Sequence, residues 1–168
     1  ALAHQGTLIL DEIKELDPSL QSKLLRFLQE RQIRRVGGHE NIKVDVRIVA
    51  ATNENPHDAV EQKKLRQDLY YRLNVVPLVI PPLRERKRDI PLLVKHFIDQ
   101  YAPSSPYEIS GITVEAMNCL KRYNWPGNVR ELQNVIEQVI SLISHERIEH
   151  EDLPDELKMI LNSIDSLS

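Results

Sequence analysis

The sequence predicts an α/β unit followed by a small all-helical unit. Up to about residue 82, short β-prone apolar runs alternate with helical periodicity. Beyond that point helical periodicity continues and no strong strand pattern returns. Between the two lies Pro81-Pro82, a strong punctuation of the chain.

Each element follows from local chemistry. Residues 7–11 are short, apolar and β-prone, and read as a buried strand. Asp17-Pro18 then opens a helix, with Asp17 as its cap and Pro18 near N1. Leu20, Leu24, Leu25 and Leu28 follow with helical spacing. In IRRVGGHENIKV, Gly37-Gly38 between two β-prone pieces predicts a hairpin. Val44 to Ala51 reads as a second buried strand, ending at Thr52-Asn53. Asp58 to Leu73 reads as helix in one or two pieces, and Val75 to Ile80 as a third strand. Further helices fit Ile90–Tyr101, Val114–Arg122, Val129–Ile143 and Asp152–Leu161, with SSPYEISG as a loop.

Composition bounds the function. A hydrophobic content of 41% supplies a core, and 28% charged residues is ordinary for a soluble domain. The net charge of −3 leaves no basic footprint, so a stand-alone DNA-binding module is disfavoured. The single cysteine, Cys119, allows no disulfide within the chain and fits a reducing, cytoplasmic compartment. No apolar run approaches a membrane span and no signal peptide is evident. The chain begins ALAHQG, without methionine and close to a motif-bearing strand, and is expected to be a fragment of a longer protein.

That strand raises the chemical question. Four uncharged residues, Thr7 to Leu10, run directly into Asp11 and Glu12. An ionised carboxylate buried without a partner is very unfavourable. In open α/β sheets, ligands bind beyond the carboxyl ends of the strands. Asp11-Glu12 stands at one such end and Thr52-Asn53 at another, so parallel neighbouring strands would crowd all four at one edge. A divalent cation with phosphates would offset the carboxylate charge. The second acid could then polarise a water, and Asn53 could orient it. The plainer reading is a solvated acidic turn and an ordinary turn asparagine.

Arg66 and Arg72 lie in LRQDLYYRL. Six residues apart on one helix, they stand about 240° apart and cannot serve one point from one face. They are two solvated arginines, or an Asp68–Arg72 helical pair, or residues that reach a neighbouring subunit's phosphates. In NWPGNVRELQN, Asn128 with Glu131 resembles a capping box, which leaves Arg130 in the first helical turn. A cation there opposes the helix dipole, so it is either tethered to an acid or meets a phosphate. The remaining features are bland: RERKRD as a solvated linker, scattered histidines without zinc-site spacing, and Cys119 as a small core residue.

Taken together, these stretches resemble one family: the central AAA+ ATPase domain of bacterial enhancer-binding proteins, the NtrC-like sigma-54-dependent transcriptional activators. AHQGTLILDEI resembles its Walker B segment. LLRFLQERQIRRVGG, VDVRIVAATN, LRQDLYYRLNVVPLVIPPLRER and WPGNVRELQN each resemble the family text, and they occur in its order, covering about residues 3–143. WPGNVREL argues against other AAA+ branches such as clamp loaders or protease chaperones.

The resemblance implies part of a parallel-sheet AAA+ P-loop NTPase core over residues 1–82. It implies a helical lid over 83–146, and a linker or terminal helix over 147–168. It implies ATP and Mg²⁺, with Asp11 as metal ligand and Glu12 activating the attacking water. Thr52 and Asn53 match sensor I, and Gly6 and Thr7 fall in the nucleotide-contacting Walker B segment. Arg66 and Arg72 match the trans-acting arginines of a ring, and Arg130 matches sensor II. Arg34, Arg35, Val36, Gly37 and Gly38 match a polymerase-side loop. The implied partner is the sigma-54 RNA polymerase holoenzyme. Enhancer DNA would be met only through a domain absent from this chain, and no membrane is involved.

Two departures stand out. The family usually has Gly-Gly before the Walker B strand, where this chain has Gln5-Gly6. No G-x-x-x-x-G-K-[ST] phosphate loop occurs in the chain, nor the first polymerase-contacting loop with its GAFTGA-type motif, and no helix-turn-helix is evident after residue 150. The expectation is that this chain alone binds ATP poorly and does not hydrolyse it. The alternative is a non-catalytic fragment or remnant that acts as a binding or oligomerisation module.

Overall fold

The structure, a computed structural model, describes residues 3–34, 37 and 40–159. The chain divides into two compact units, residues 1–78 and 79–168.

The first unit is built on a parallel pair. Strand β1 (Gly6–Leu10) leads through a 3-10 turn at Ile13–Glu15 into helix α1 (Pro18–Glu30). A short antiparallel hairpin follows, β2 (Gln32–Arg34) against β3 (Asn41–Lys43), with Ile33 opposite Ile42. Strand β4 (Val46–Ala50) then returns beside β1 in parallel register, Gly6 opposite Val46 and Leu10 opposite Ala50. Pro18 stands in the first turn of α1, as its fixed φ favours, but the Asp17 side chain makes no capping bond.

Two short helices, α2 (Pro56–Glu61) and α3 (Gln67–Leu73), complete this unit. The helical reading of 58–73 therefore resolves into two pieces. They are separated by Lys63, whose φ of 59° is left-handed. Asn55 caps α2 by accepting from the His57 N–H at 3.0 Å. The core comprises Ile13, Leu28, Ala59, Leu65, Leu69 and Tyr70, with Leu10, Leu24 and Ile48 packed on it.

Two strand expectations need correction. Residues 75–80 form no strand, and Leu78 and Val79 are 89% and 91% exposed. A β-prone run becomes a strand only when another backbone offers it hydrogen bonds, and among the described residues none does. The other two strands form but are not buried as expected: no residue of β1 is buried, with Ile9 67% exposed, and in β4 only Val46 is buried, with Val49 41% exposed. The helices cover one face of the β1–β4 pair through Leu10 and Ile48, whereas parallel sheets are ordinarily covered on both.

The second unit is helical: α4 (Ile90–Tyr101), α5 (Val114–Arg122) and α6 (Asn128–Leu142). A two-residue parallel pair, β5 (Gly111–Ile112) with β6 (Arg147–Ile148), is too short to have left a compositional signal. The helix expected over Asp152–Leu161 starts later, and residues 160 and 161 lie outside the described residues. A 3-10 turn covers His150–Asp152, Pro154 follows, and residues 155–159 are helical.

The core of this unit gathers Leu83, Ile90, Val94, Leu120, Leu132, Ile136, Ile148 and Leu153 around a fully buried Trp125. The Trp125 indole N–H donates to the Leu120 carbonyl at 2.8 Å, and its ring meets Tyr123 edge-on with centroids 5.1 Å apart. Cys119 is buried here too, and desolvation pushes its thiol pKa up.

Candidate nucleotide site

The parallel register sets the site. Because Leu10 pairs with Ala50, the chains leaving β1 and β4 emerge side by side at the carboxyl edge. Backbone bonds stitch these exits together: the Ala51 N–H donates to the Leu10 carbonyl at 2.8 Å, and the Ile13 N–H to the Ala51 carbonyl at 3.0 Å. Asp11 and Glu12 follow one strand, and Thr52 and Asn53 the other.

Glu12 is strained into place. Its backbone is left-handed, with φ 48° and ψ 54°, a conformation uncommon for residues other than glycine. Its N–H donates to its neighbour's Oδ1, on Asp11, at 3.0 Å. The Asp11 side chain is exposed at the strand end. The Glu12 Oε2 is buried and has no hydrogen-bond partner. A buried, unpartnered carboxylate oxygen at a strand end is an acceptor held ready for something absent from the chain itself.

On the facing turn, the Thr52 hydroxyl accepts from the Glu54 N–H at 3.4 Å, and Asn53 is exposed. Glu54 meets Lys14, with Nζ to Oε1 at 2.7 Å. The Lys14 hydrogen bond lowers the Glu54 pKa, with Lys64 adding to the effect. Lys14 itself is almost fully buried. Gly6 and Thr7, by contrast, open β1. They lie at the far end of that strand, about 13–17 Å along it from Asp11.

The arginines sit differently from the helical-wheel expectation. Arg66 precedes α3 as its cap residue in extended backbone, so the 240° relation to Arg72 does not apply. Arg66 pairs with Asp68 through two hydrogen bonds and also donates to the Ser22 hydroxyl at 3.2 Å. Arg72 instead donates to the Leu28 carbonyl at 3.2 Å, so the Asp68–Arg72 pair is not formed.

Arg130 is exposed in the first turn of α6, in the second unit. The capping box is not formed as expected. The Asn128 Oδ1 accepts from the Leu83 N–H at 2.8 Å, while the Glu131 Oε2 accepts from the Gly127 N–H at 2.7 Å. A residue that must also anchor Leu83 cannot turn its side chain to its own helix.

On the hairpin, the Arg34 Nε donates to the Asn41 Oδ1 at 3.3 Å, and Gly37 takes the left-handed φ of 77° that a tight turn requires. Arg35, Val36 and Gly38 lie outside the described residues. Among the described residues no cluster of His, Cys, Asp or Glu could hold a metal by itself, and no helix is long and apolar enough to cross a membrane.

Three residues escaped the sequence reading. No local sequence pattern marks Lys14, Glu54 or Gln21. Yet Gln21 is buried, donates to the carbonyls of Leu16 (2.9 Å) and Lys64 (2.7 Å), and accepts from the Arg66 N–H at 2.9 Å. Only the fold reveals these, since the Lys14–Glu54 pair and the Gln21 bonds to Lys64 and Arg66 join residues distant in sequence.

Comparison with known proteins agrees with this architecture. The family model described as the Sigma-54 interaction domain matches residues 1–79, and that of the AAA+ ATPase lid domain matches residues 84–165. The chain is 49% identical over 156 residues to the regulatory protein AtoC of Escherichia coli (strain K12), covering 93% of this chain and 34% of that protein. It is 48% identical over 156 residues to the nitrogen fixation protein AnfA of Azotobacter vinelandii, covering 93% of this chain and 29% of that protein. The chain thus spans about a third of the length of these relatives.

Among solved structures, NtrX from Brucella abortus in complex with ADP superposes with a TM-score of 0.82 at 38% identity, covering 92% of this chain and 36% of that one. The same protein in complex with ATP gives a TM-score of 0.80 at 37% identity, covering 95% and 38%. The chain belongs to the sigma-54 interaction domain family of AAA+ proteins, the α/β core followed by the lid, as found in the NtrC-like activators.

Proposed function

We propose that this chain supplies the segment from Walker B to sensor II of an ATP-hydrolysing AAA+ motor. In the complete protein that motor remodels the sigma-54 RNA polymerase holoenzyme in the cytoplasm and so activates transcription. The observation that carries the reading is the β1–β4 register, which sets Asp11-Glu12 beside Thr52-Asn53 while leaving the Glu12 Oε2 buried and unpartnered.

The side chains fit the chemistry. Asp11 offers a hard carboxylate oxygen at the strand end, the donor type Mg²⁺ takes, and would hold that ion. Bound Mg²⁺ would neutralise phosphate charge. Glu12 would accept the proton of the attacking water, and Asn53 would orient that water. Arg66 and Arg72 would serve the site of the next subunit in a ring, and Arg130 would meet nucleotide from the lid. Residues 34–38 would face the polymerase. NtrX has been crystallised with ADP and with ATP, which supports nucleotide as the ligand class.

Glu12→Gln in the protein expressed from its complete reading frame tests this. ATP binding should persist and turnover should vanish; unchanged hydrolysis would remove Glu12 from the mechanism. For this chain alone, which holds no phosphate loop, titration calorimetry with Mg-ATP should detect no binding. The exposed residues 75–80 favour a second reading, a non-catalytic association module. A complete reading frame without a phosphate loop would establish that reading instead.

A further inference from the structure

The turns that carry Glu12 and Asn53 are joined by a contact outside the nucleotide chemistry. Lys14 lies two residues after Glu12, in the 3-10 turn at Ile13–Glu15, with its side chain only 6% exposed. Its Nζ is 2.7 Å from the Oε1 of Glu54, the residue after Asn53. The Glu54 side chain is 39% exposed, so the burial is one-sided: removing Glu54 would leave a nearly buried ammonium with only the longer 3.8 Å contact to the exposed Glu15 Oε1. The pair is therefore a constraint on where both turns sit rather than a surface decoration.

Glu54 is held from further directions. Its N–H is bound by the Thr52 hydroxyl at 3.4 Å, and its Oε2, which accepts no hydrogen bond, lies in a longer ion pair 3.7 Å from the Lys64 Nζ. The backbone carbonyl of Lys64 is in turn gripped by Gln21, which also holds the Arg66 N–H. One carboxylate thus connects the Glu12 turn, the Thr52-Asn53 turn and the segment leading to Arg66.

We propose that Lys14 and Glu54 form a positioning clamp that holds Glu12 and Asn53 in fixed relation across the β1–β4 edge. Neither residue touches the reacting groups. Each acts through its neighbour, and the clamp rests on the roles given above to Glu12 and Asn53.

The test uses the protein expressed from its complete reading frame, with Lys14→Met, Glu54→Gln and the charge swap Lys14→Glu/Glu54→Lys. Lys14→Met should lower kcat about ten- to hundredfold, the scale that small displacements of reacting groups produce, with the KM for ATP within about twofold. The swap should recover most of kcat. Independently of activity, hydrogen exchange at the Ile13 and Ala51 amides, which close the bonds between the two turns, should quicken in Lys14→Met and slow again in the swap. If Lys14→Met does not fold, Glu54→Gln keeps the shape of the acid, removes its charge and carries the same comparison. A kcat within about twofold of wild type in either single variant, or equal changes in kcat and KM, overturns the clamp. Glu12→Gln separates the two levels. If it too hydrolyses ATP normally, the reading beneath the clamp fails and the clamp with it. If Glu12→Gln is inactive while Lys14→Met is unaffected, the clamp alone fails.

Discussion

The guanidinium of Arg66 lies against the carboxylate of Asp68 in a two-pronged pair, Nε to Oδ1 at 3.0 Å and Nη2 to Oδ2 at 2.7 Å. That arrangement is the strongest geometry available to an arginine and a carboxylate, and it restrains a long side chain ahead of helix α3.

It also sets a pH dependence. The Arg66 hydrogen bonds hold the Asp68 carboxyl below the usual carboxylate range. The folded pKa is thus lower than the unfolded one, so the stabilisation is complete above an unfolded value of about 3.9 and is lost as pH falls through the folded pKa. The side chains are 47% and 48% exposed, so solvent screening keeps the effect small. The stability difference between wild type and Asp68→Asn, measured by urea unfolding, should shrink between pH 7 and pH 3. A difference that grows on acidification would reverse the assignment.

Trp125→Ala should destabilise the second unit by about 3–5 kcal/mol, because the site is fully enclosed and a large aromatic is lost. Trp125→Phe should cost less, since it retains most of the packing and forfeits the bond to the Leu120 carbonyl. Thermal unfolding of both variants would rank the two contributions.

Gly127→Ala probes the start of α6. An added methyl would stand 2.8 Å from the Glu131 Cβ, closer than packing permits. The helix start would shift, at a cost of about 1–3 kcal/mol, and the Gly127 amide should lose its bond to the Glu131 carboxylate. An amide chemical shift unchanged at residue 127 would contradict this.

Cys119 should resist alkylation in the native chain at neutral pH and react at an ordinary rate in urea, since burial both shields the thiol and disfavours the thiolate. Rapid native labelling would mean that the second unit opens readily.

The exposed run from Val75 to Ile80 should make this chain associate in solution. Light scattering after size exclusion should show species larger than the 19.5 kDa monomer, and Leu78→Glu with Val79→Lys should reduce them. A stable monomer would refute the expectation.

Legibility in the sequence followed the range of the interaction responsible. Ile90–Tyr101 and Val114–Arg122 were readable to the residue because a helix closes its own hydrogen bonds and its periodicity is local. The run at 75–80 was misread because pairing, not propensity, decides a strand. In the site, Asp11, Glu12, Thr52 and Asn53 stood out through their position after apolar runs. Lys14, Gln21 and Glu54 did not, since a lysine after two acids, or a glutamine in an amphipathic helix, looks solvated until a distant partner is known. Arg66 was placed on a helix because nothing local marks that Gln21 grips its backbone and holds it outside α3.

The pairing of Leu10 with Ala50 makes the two strands unequal to the loops around them in what they can tolerate over evolutionary time. Side chains alternate across a strand, so deleting one residue within Gly6–Leu10 or Val46–Ala50 would exchange the faces of that strand and carry its terminal pair to the wrong side. Length variation among descendants of this chain should therefore be nearly absent from the two strands, even where their apolar residues are freely exchanged for one another.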